Sequence, residues 1–331
     1  MRVLVTGGAG YIGSCVVEEL VKRDYDVRVL DSFLWGRESL ERFSNQIELV
    51  EGDVRSSADV SYALQDIDAV VHLAGIVGEQ ACQINPVASY TTNIESTHTL
   101  VNCMTDPALD EVRDLIFASS CSIYGNVRGV YDEVTETTPA GPLSLYAEAK
   151  VKGEEIIWRK AEEVARFHPT ILRLTTLFGW SPRPRLDLVT NFFAYKALTD
   201  GELTLFGDGS QYRSLIHVRD VALAFVMALE TPRLMRERKV FHVGDERNNR
   251  TVKEIAELVK EYLPETKINV KSTASTDRRD YKINCQRIRN VIDWERNYSV
   301  EDGVRDVIEN LKSTGITYDP LKHANTQYAY K

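Results

Sequence analysis

The chain has 331 residues, 43% hydrophobic and 27% charged, a composition that excludes a disordered chain and leaves room for two core-bearing units. A formal charge of −9 argues against nonspecific binding to a nucleic-acid backbone, and the short basic clusters SPRPR (181–185) and DRRDYK (277–282) read as local anion contacts. Five scattered cysteines without a C-x-x-C pair suggest neither a disulfide framework nor a metal site; with no leader and no apolar window near about 18 residues, the expectation is a cytoplasmic protein without a membrane span.

From the first residues, short apolar runs alternate with stretches of helical period: RVLVTG, then 11–23, DVRVLD, IELVEGD, 56–65, AVVHLAG, 86–104, LIFASS, 146–166 and TILRLT. That order predicts an α/β fold with a doubly wound parallel sheet, because a right-handed crossover joins each strand to the next through a helix. In 11–23 the positions Ile12, Val16, Val17, Leu20 and Val21 form one stripe for packing on the sheet. After Thr175 the alternation lapses into LFGWSPRPRLD, and SLIHV (214–218) and KVFHVG (239–244) read as returns to the sheet. The expected division is residues 1–175 with about 214–243 as one unit, and about 176–213 with 244–320 as a second, discontinuous one.

VLVTGGAGYIG sets Gly7, Gly10 and Gly13 at the turn from first strand to first helix, where bare glycines let the main-chain N–H groups of Tyr11, Ile12 and Gly13 approach a pyrophosphate. Asp31 ends the second strand 18 residues past Gly13, where a carboxylate binds ribose hydroxyls and repels a 2′-phosphate, favouring NAD over NADP; a helix cap is the alternative. Asp53, followed by Val54, can accept from the adenine amine or simply make a turn.

TGGAGYIG, GDV, HLAG (72–75), Asn93, SSCSIYG (119–125) and YAEAK (146–150), in this order, resemble the extended short-chain dehydrogenase/reductase family, in its NAD-dependent sugar-nucleotide epimerase/dehydratase branch, over roughly residues 1–310. The resemblance implies a Rossmann domain and NAD contacts from Leu73, Ala74, Gly75, Asn93, Tyr146 and Lys150. It also implies a catalytic set of Ser120, Tyr146 and Lys150 acting on a nucleoside-diphosphate sugar, and a homodimer packed through 86–104 and 146–166.

The residues support that set independently. Tyr146 and Lys150 are four apart, hence on one helical face. An ammonium about 4 Å away at an effective dielectric of about 20 favours a phenolate by about 4 kcal/mol, near three pKa units, enough to make tyrosine a base near neutrality. Cys121, with no histidine nearby in sequence, reads as a packed bystander. Ser122 stands where dehydratases of the family carry a glutamate, so elimination and glutamate-assisted decarboxylation lose support while oxidation and return at C4 do not. The same scaffold can instead carry a net 4-dehydrogenation or ketoreduction, C2 inversion, or a non-catalytic nucleotide sensor.

For the substrate, the resemblance implies contacts from Ser120, Ser122, Thr176 (often asparagine in the family), Asn191 and Phe206, with Arg213 and Arg279 clamping the diphosphate through bidentate forks; Arg278 competes with Arg279. Arg183 and Arg185 lie where the chain can cover the sugar and read a substituent such as a carboxylate. The histidines show no metal-ligand spacing, and His72 and His217 read as wall or structural residues.

Overall fold

The structure is a computed structural model in which residues 1–108, 113–127, 133–271 and 282–325 are described. Four strands, β1 (Arg2–Thr6), β2 (Asp26–Asp31), β3 (Ile47–Glu51) and β4 (Ala69–His72), alternate with helices α1 (Tyr11–Lys22) and α2 (Ser57–Ala63). Next come α3 (Glu79–Ile84), α4 (Pro86–Tyr90), α5 (Ser96–Met104), β5 (Asp114–Ser120), α6 (Leu145–Glu163) and β6 (His168–Leu174). The stretch expected as one helix over 86–104 is interrupted by a π-helical turn at Thr91–Glu95, a widened turn often found at functional sites.

The remainder runs β7 (Thr176–Phe178), α7 (Val189–Asp200), β8 (Glu202–Phe206), β9 (Tyr212–His217), α8 (Val218–Glu230), α9 (Arg233–Arg236) and β10 (Lys239–Val243). It closes with β11 (Asn249–Thr251), α10 (Val252–Tyr262), β12 (Lys267–Lys271), α11 (Gln286–Ile292), α12 (Val300–Thr314) and the short α13 (Pro320–His323). Seven strands form the central sheet in the order β10-β6-β5-β4-β1-β2-β3, every pair parallel. The direction of winding reverses between β1 and β4, and ligands of such sheets bind in the crevice this opens at the strand C-termini.

One apolar cluster joins the sheet to α1 and α8 through Val16, Val17, Leu20, Val221 and Phe225. Another covers the opposite face, where Leu4, Val70 and Leu115 meet Leu100, Val101 and Ile157. A third belongs to the second half, uniting Phe178, Phe193, Ile255, Val304 and Val307 around α7, α10 and α12.

One expected strand sits elsewhere. Residues 214–218 do not return to the central sheet: β9 pairs parallel with β7 and antiparallel with β11 in a separate three-stranded sheet. β10 takes the place beside β6. An apolar run ending in a helix reads the same from either sheet, so periodicity alone could not separate them.

Candidate functional site

The crevice between β1 and β4 is lined by main chain. Gly7 has φ +73°, and a Cβ there would lie 2.8 Å from the Ala74 backbone; one on Gly13 would lie 2.2 Å from the Gly7 carbonyl oxygen. Neither position accepts a side chain. Helix α1 starts at Gly10 with no side-chain cap, so its first N–H groups, from Tyr11, Ile12 and Gly13, are presented for an anion. Leu73 N–H bonds the Thr6 carbonyl and Ala74 N–H the Thr6 hydroxyl. Buried His72, held neutral by burial at a pKa near 3, bonds the same hydroxyl at 2.7 Å.

Asp31 accepts from Ala9 N–H at 2.9 Å and Phe33 N–H at 2.8 Å. Its pKa is raised by burial, an effect these two bonds oppose. The cradle closed to any Cβ, the uncapped helix start and a carboxylate at the end of β2 together fit a dinucleotide.

Several of the expected cofactor residues have side chains engaged within the protein itself. Asn93, on the π-helical turn, spends its side chain on the Ile76 main chain, accepting from its N–H (2.8 Å) and donating to its carbonyl (2.9 Å); it fixes the strap after Gly75. Asp53 closes on Arg55, which lowers its pKa, so the turn alternative describes its side chain. Val54 packs its side chain in the core. The Tyr11 phenol donates to the Gly179 carbonyl at 2.7 Å, so any cofactor contact of Tyr11 is through its backbone.

Beside the cradle opens a cleft of about 440 Å³ lined by Ser120, Ser122, Tyr146, Thr176, Phe206 and Arg213. Six of the expected substrate and catalytic residues therefore share one wall-to-wall space, although they come from β5 and the 3-10 turn after it, α6, β7, β8 and β9. The first two are set by a local turn: Ser120 Oγ accepts from Ser122 N–H at 3.1 Å and donates to its hydroxyl at 2.9 Å.

Lys150 is buried behind Tyr146, its Nζ donating to the Ala118 carbonyl at 2.7 Å and lying 5.9 Å from the tyrosine ring centre. Burial pushes its pKa down to about 8, against the pull of Cys82 and Glu154. Glu154 itself is bridged by Arg173 (2.6 and 2.9 Å) and accepts from Ser119. Sequence reading missed Glu154, though a third member of the Tyr146–Lys150 stripe, four residues on, was its signal.

Asn191 does not face the cleft. Its oxygen accepts from Gly179 N–H (2.9 Å), and its nitrogen donates to the carbonyls of Arg185 (2.8 Å) and Gly179 (3.1 Å). These bonds tie down the 179–185 loop. Arg279 lies outside the described residues. Cys121 is fully buried, donates to the Arg173 carbonyl at 3.4 Å, and is held protonated by burial.

The cleft also contains Glu79 and Gln80 from the start of α3, which sequence reading did not place there, and Asp187 from the loop before α7. Asp187 pairs bidentately with Arg185, at 2.6 and 3.0 Å. Nothing in the local sequence of Glu79 and Gln80 marks them; only the strap after β4 carries them to the cleft. Among the described residues no cluster of three or more His, Cys, Asp or Glu could hold a metal, and no helix is long and apolar enough to cross a membrane.

A fold wound this way, with a glycine cradle and a tyrosine–lysine pair at one cleft, defines an NAD-dependent enzyme of the short-chain dehydrogenase/reductase type. Residues 3–244 match the model of the NAD dependent epimerase/dehydratase family, and the chain belongs to that family. It is 32% identical over 261 residues to UDP-glucose 4-epimerase of Lactobacillus helveticus, covering 74% of this chain and 76% of the relative. It is 28% identical over 333 residues to UDP-glucuronic acid decarboxylase 1 of Arabidopsis thaliana, covering 97% and 72%. The solved UDP-glucose 4-epimerase of Thermotoga maritima with UDP-glucose matches at TM-score 0.85 and 28% identity, over 96% of this chain and all of that one.

Proposed function

We propose that this protein inverts C4 of a nucleoside-diphosphate sugar by oxidation and return. The observation that carries the reading is that Ser120, Ser122 and Tyr146 share one cleft with Thr176, Phe206 and Arg213, with Lys150 behind the tyrosine. Bound NAD supplies a reversible hydride acceptor. Tyr146 takes the 4-hydroxyl proton and later returns it; Ser120 orients that hydroxyl; Lys150, when charged, favours the phenolate. Arg213 contacts the diphosphate as a bidentate donor, and Phe206 covers the base.

Epimerases and a decarboxylase are both among the relatives. Ser122 favours the epimerase reading: it offers no carboxylate on the loop after β5, and the carboxylates that do line the cleft are Glu79, from the start of α3, and Asp187, which is held by Arg185. Incubation with uridine-, thymidine-, cytidine- and guanosine-linked sugars, followed by NMR, should show C4 inversion of one of them with exchange of label at C4 and no stoichiometric reduction of NAD. Absence of both inversion and exchange would refute it; stoichiometric reduction would make the enzyme a dehydrogenase.

The reading includes a homodimer through α4, α5 and α6, supported by the exposed Val87 and Tyr90 on α4 and Leu145 at the start of α6; light scattering at twice 37.5 kDa tests it. It places the enzyme in a reducing cytoplasm, in keeping with its five free cysteines.

A further inference from the structure

Arg183 is the feature that the site leaves unexplained. It is 6% exposed, yet its Nε and Nη2 are buried with no hydrogen-bond partner. Its third nitrogen, Nη1, donates to Asn325 at 3.0 Å, and its Cζ sits 4.1 Å from the centre of the Trp35 ring. A buried guanidinium with two unspent donors is costly unless an anion completes it. Burial moves its pKa down to about 9, with the neighbouring Arg185 adding to the effect and the charges of Asp187, Asp31 and Tyr11 opposing it.

The fastening of its loop points to which anion. Arg183 is not part of the cleft wall, whereas Arg185 and Arg213 are. Its neighbours come from both sides: Asn325, Arg185 and Asp187 line the cleft, while Asp31, which ends β2, Tyr11 and Trp35 belong to the cradle. Its own loop is fastened to the first turn of α1: Arg183 N–H donates to Ser181 Oγ at 3.3 Å. Ser181 in turn donates to the Tyr11 carbonyl at 2.7 Å and lies 3.0 Å from Ser14 Oγ. From the far side, Asn325 donates to the Val77 carbonyl at 3.1 Å, on the strap after β4.

We infer that Arg183, carried on a loop of the substrate half, is a ligand of the diphosphate of the bound dinucleotide and locks the cofactor in place. Its two free nitrogens suit phosphate oxygens, and the loop thereby makes cofactor retention depend on the half that binds the sugar. The inference rests on the family's use of NAD and is independent of which sugar carbon is inverted.

The test is NAD affinity measured by calorimetry on stripped wild-type protein, Arg183→Met and Arg183→Lys, with ADP-ribose, adenosine and UDP as further probes. Arg183→Met should bind NAD and ADP-ribose roughly ten- to a hundredfold more weakly, the range for lost charge-assisted hydrogen bonds. Adenosine and UDP affinities should stay within twofold, and Arg183→Lys should fall between. A folded Arg183→Met with wild-type NAD affinity overturns the inference, as does an equal loss for adenosine. A loss for UDP alone would assign the residue to the sugar nucleotide and also overturn it. Should Arg183→Met not fold, Arg183→Lys decides: unchanged NAD and ADP-ribose affinity refutes the lock. Because no sugar turnover is read, failure here leaves the C4 assignment standing, and failure of C4 inversion leaves the lock standing.

Discussion

The cofactor cradle and the sugar cleft adjoin, yet they are built from different material. The cradle is main chain: glycines that no Cβ could replace, helix N–H groups without a cap, and a single carboxylate at the end of β2. The cleft is side chain, gathered from β5, α6, β7, β8, β9 and the loops around α3 and α7. A main-chain site must be written as small residues in consecutive order, because the peptide itself is the ligand. A side-chain site can draw on residues hundreds of positions apart, and the same contrast governs how each should fail when altered.

The largest effect should separate the two outright. Tyr146→Phe removes the proposed proton acceptor from the cleft while leaving the cradle intact, so kcat should drop by about three orders of magnitude or more, at the upper end of general-base losses. The NAD copurified per chain should remain at the wild-type level by mass spectrometry of the denatured protein. Joint loss of activity and cofactor would mean the division between cradle and cleft is false.

Lys150 sharpens this point through pH. Burial holds its pKa near 8, so the ammonium is present below that value and is lost above it. Loss of the charge removes the partner that favours the phenolate, and kcat/KM should therefore fall about tenfold per unit above pH 8. Lys150→Arg keeps a charge throughout this range, and its profile, at whatever lower level, should lack that alkaline limb.

Arg213→Met addresses the cleft without touching the cradle. KM for the nucleotide sugar should rise about tenfold or more, as for a lost charged hydrogen bond of about 1.5–3 kcal/mol, while NAD affinity and kcat change little. An equal fall in NAD affinity would show that this arginine serves both sites.

How far the sequence could be read follows the same line. The cradle was legible in Gly7, Gly10, Gly13 and Asp31, since their spacing is the geometry. Tyr146 and Lys150 were legible as a helical pair, and Ser120 and Ser122 as the end of an apolar strand. Asn93 and Asn191 were visible as positions but not as roles: each spends its amide on a neighbouring loop, and a sequence does not show which way an amide turns. Glu79, Gln80 and Asp187 reach the cleft through loop paths that no periodicity encodes. β9 was drawn to the wrong sheet because its apolar pattern suits either.

Asn191 offers a measure of that hidden class. Asn191→Ala strips the acceptor from Gly179 N–H and the donor from the Arg185 carbonyl, both buried. The cost should be about 2–3 kcal/mol in denaturant unfolding, the range for buried groups left unpaired, with a modest rise in KM as the 179–185 loop loosens. A pure KM effect with full stability would return Asn191 to direct substrate contact.

The smallest effect belongs to Cys121, which lies between the two serines of the catalytic loop and shares the work of neither. Its sulfur is inside the core, bonded to the Arg173 carbonyl, and burial raises the thiol well above its ordinary range. A nucleophilic cysteine needs the opposite environment, electropositive and accessible enough to populate the thiolate. Cys121→Ala should therefore leave kcat and KM within twofold and cost only about 1 kcal/mol of stability, from the small void it leaves. Alkylation of the native enzyme should modify the half-exposed Cys103 in preference to Cys121; inactivation that tracks labelling of Cys121 by peptide mass spectrometry would contradict its burial and reopen covalent chemistry on this loop.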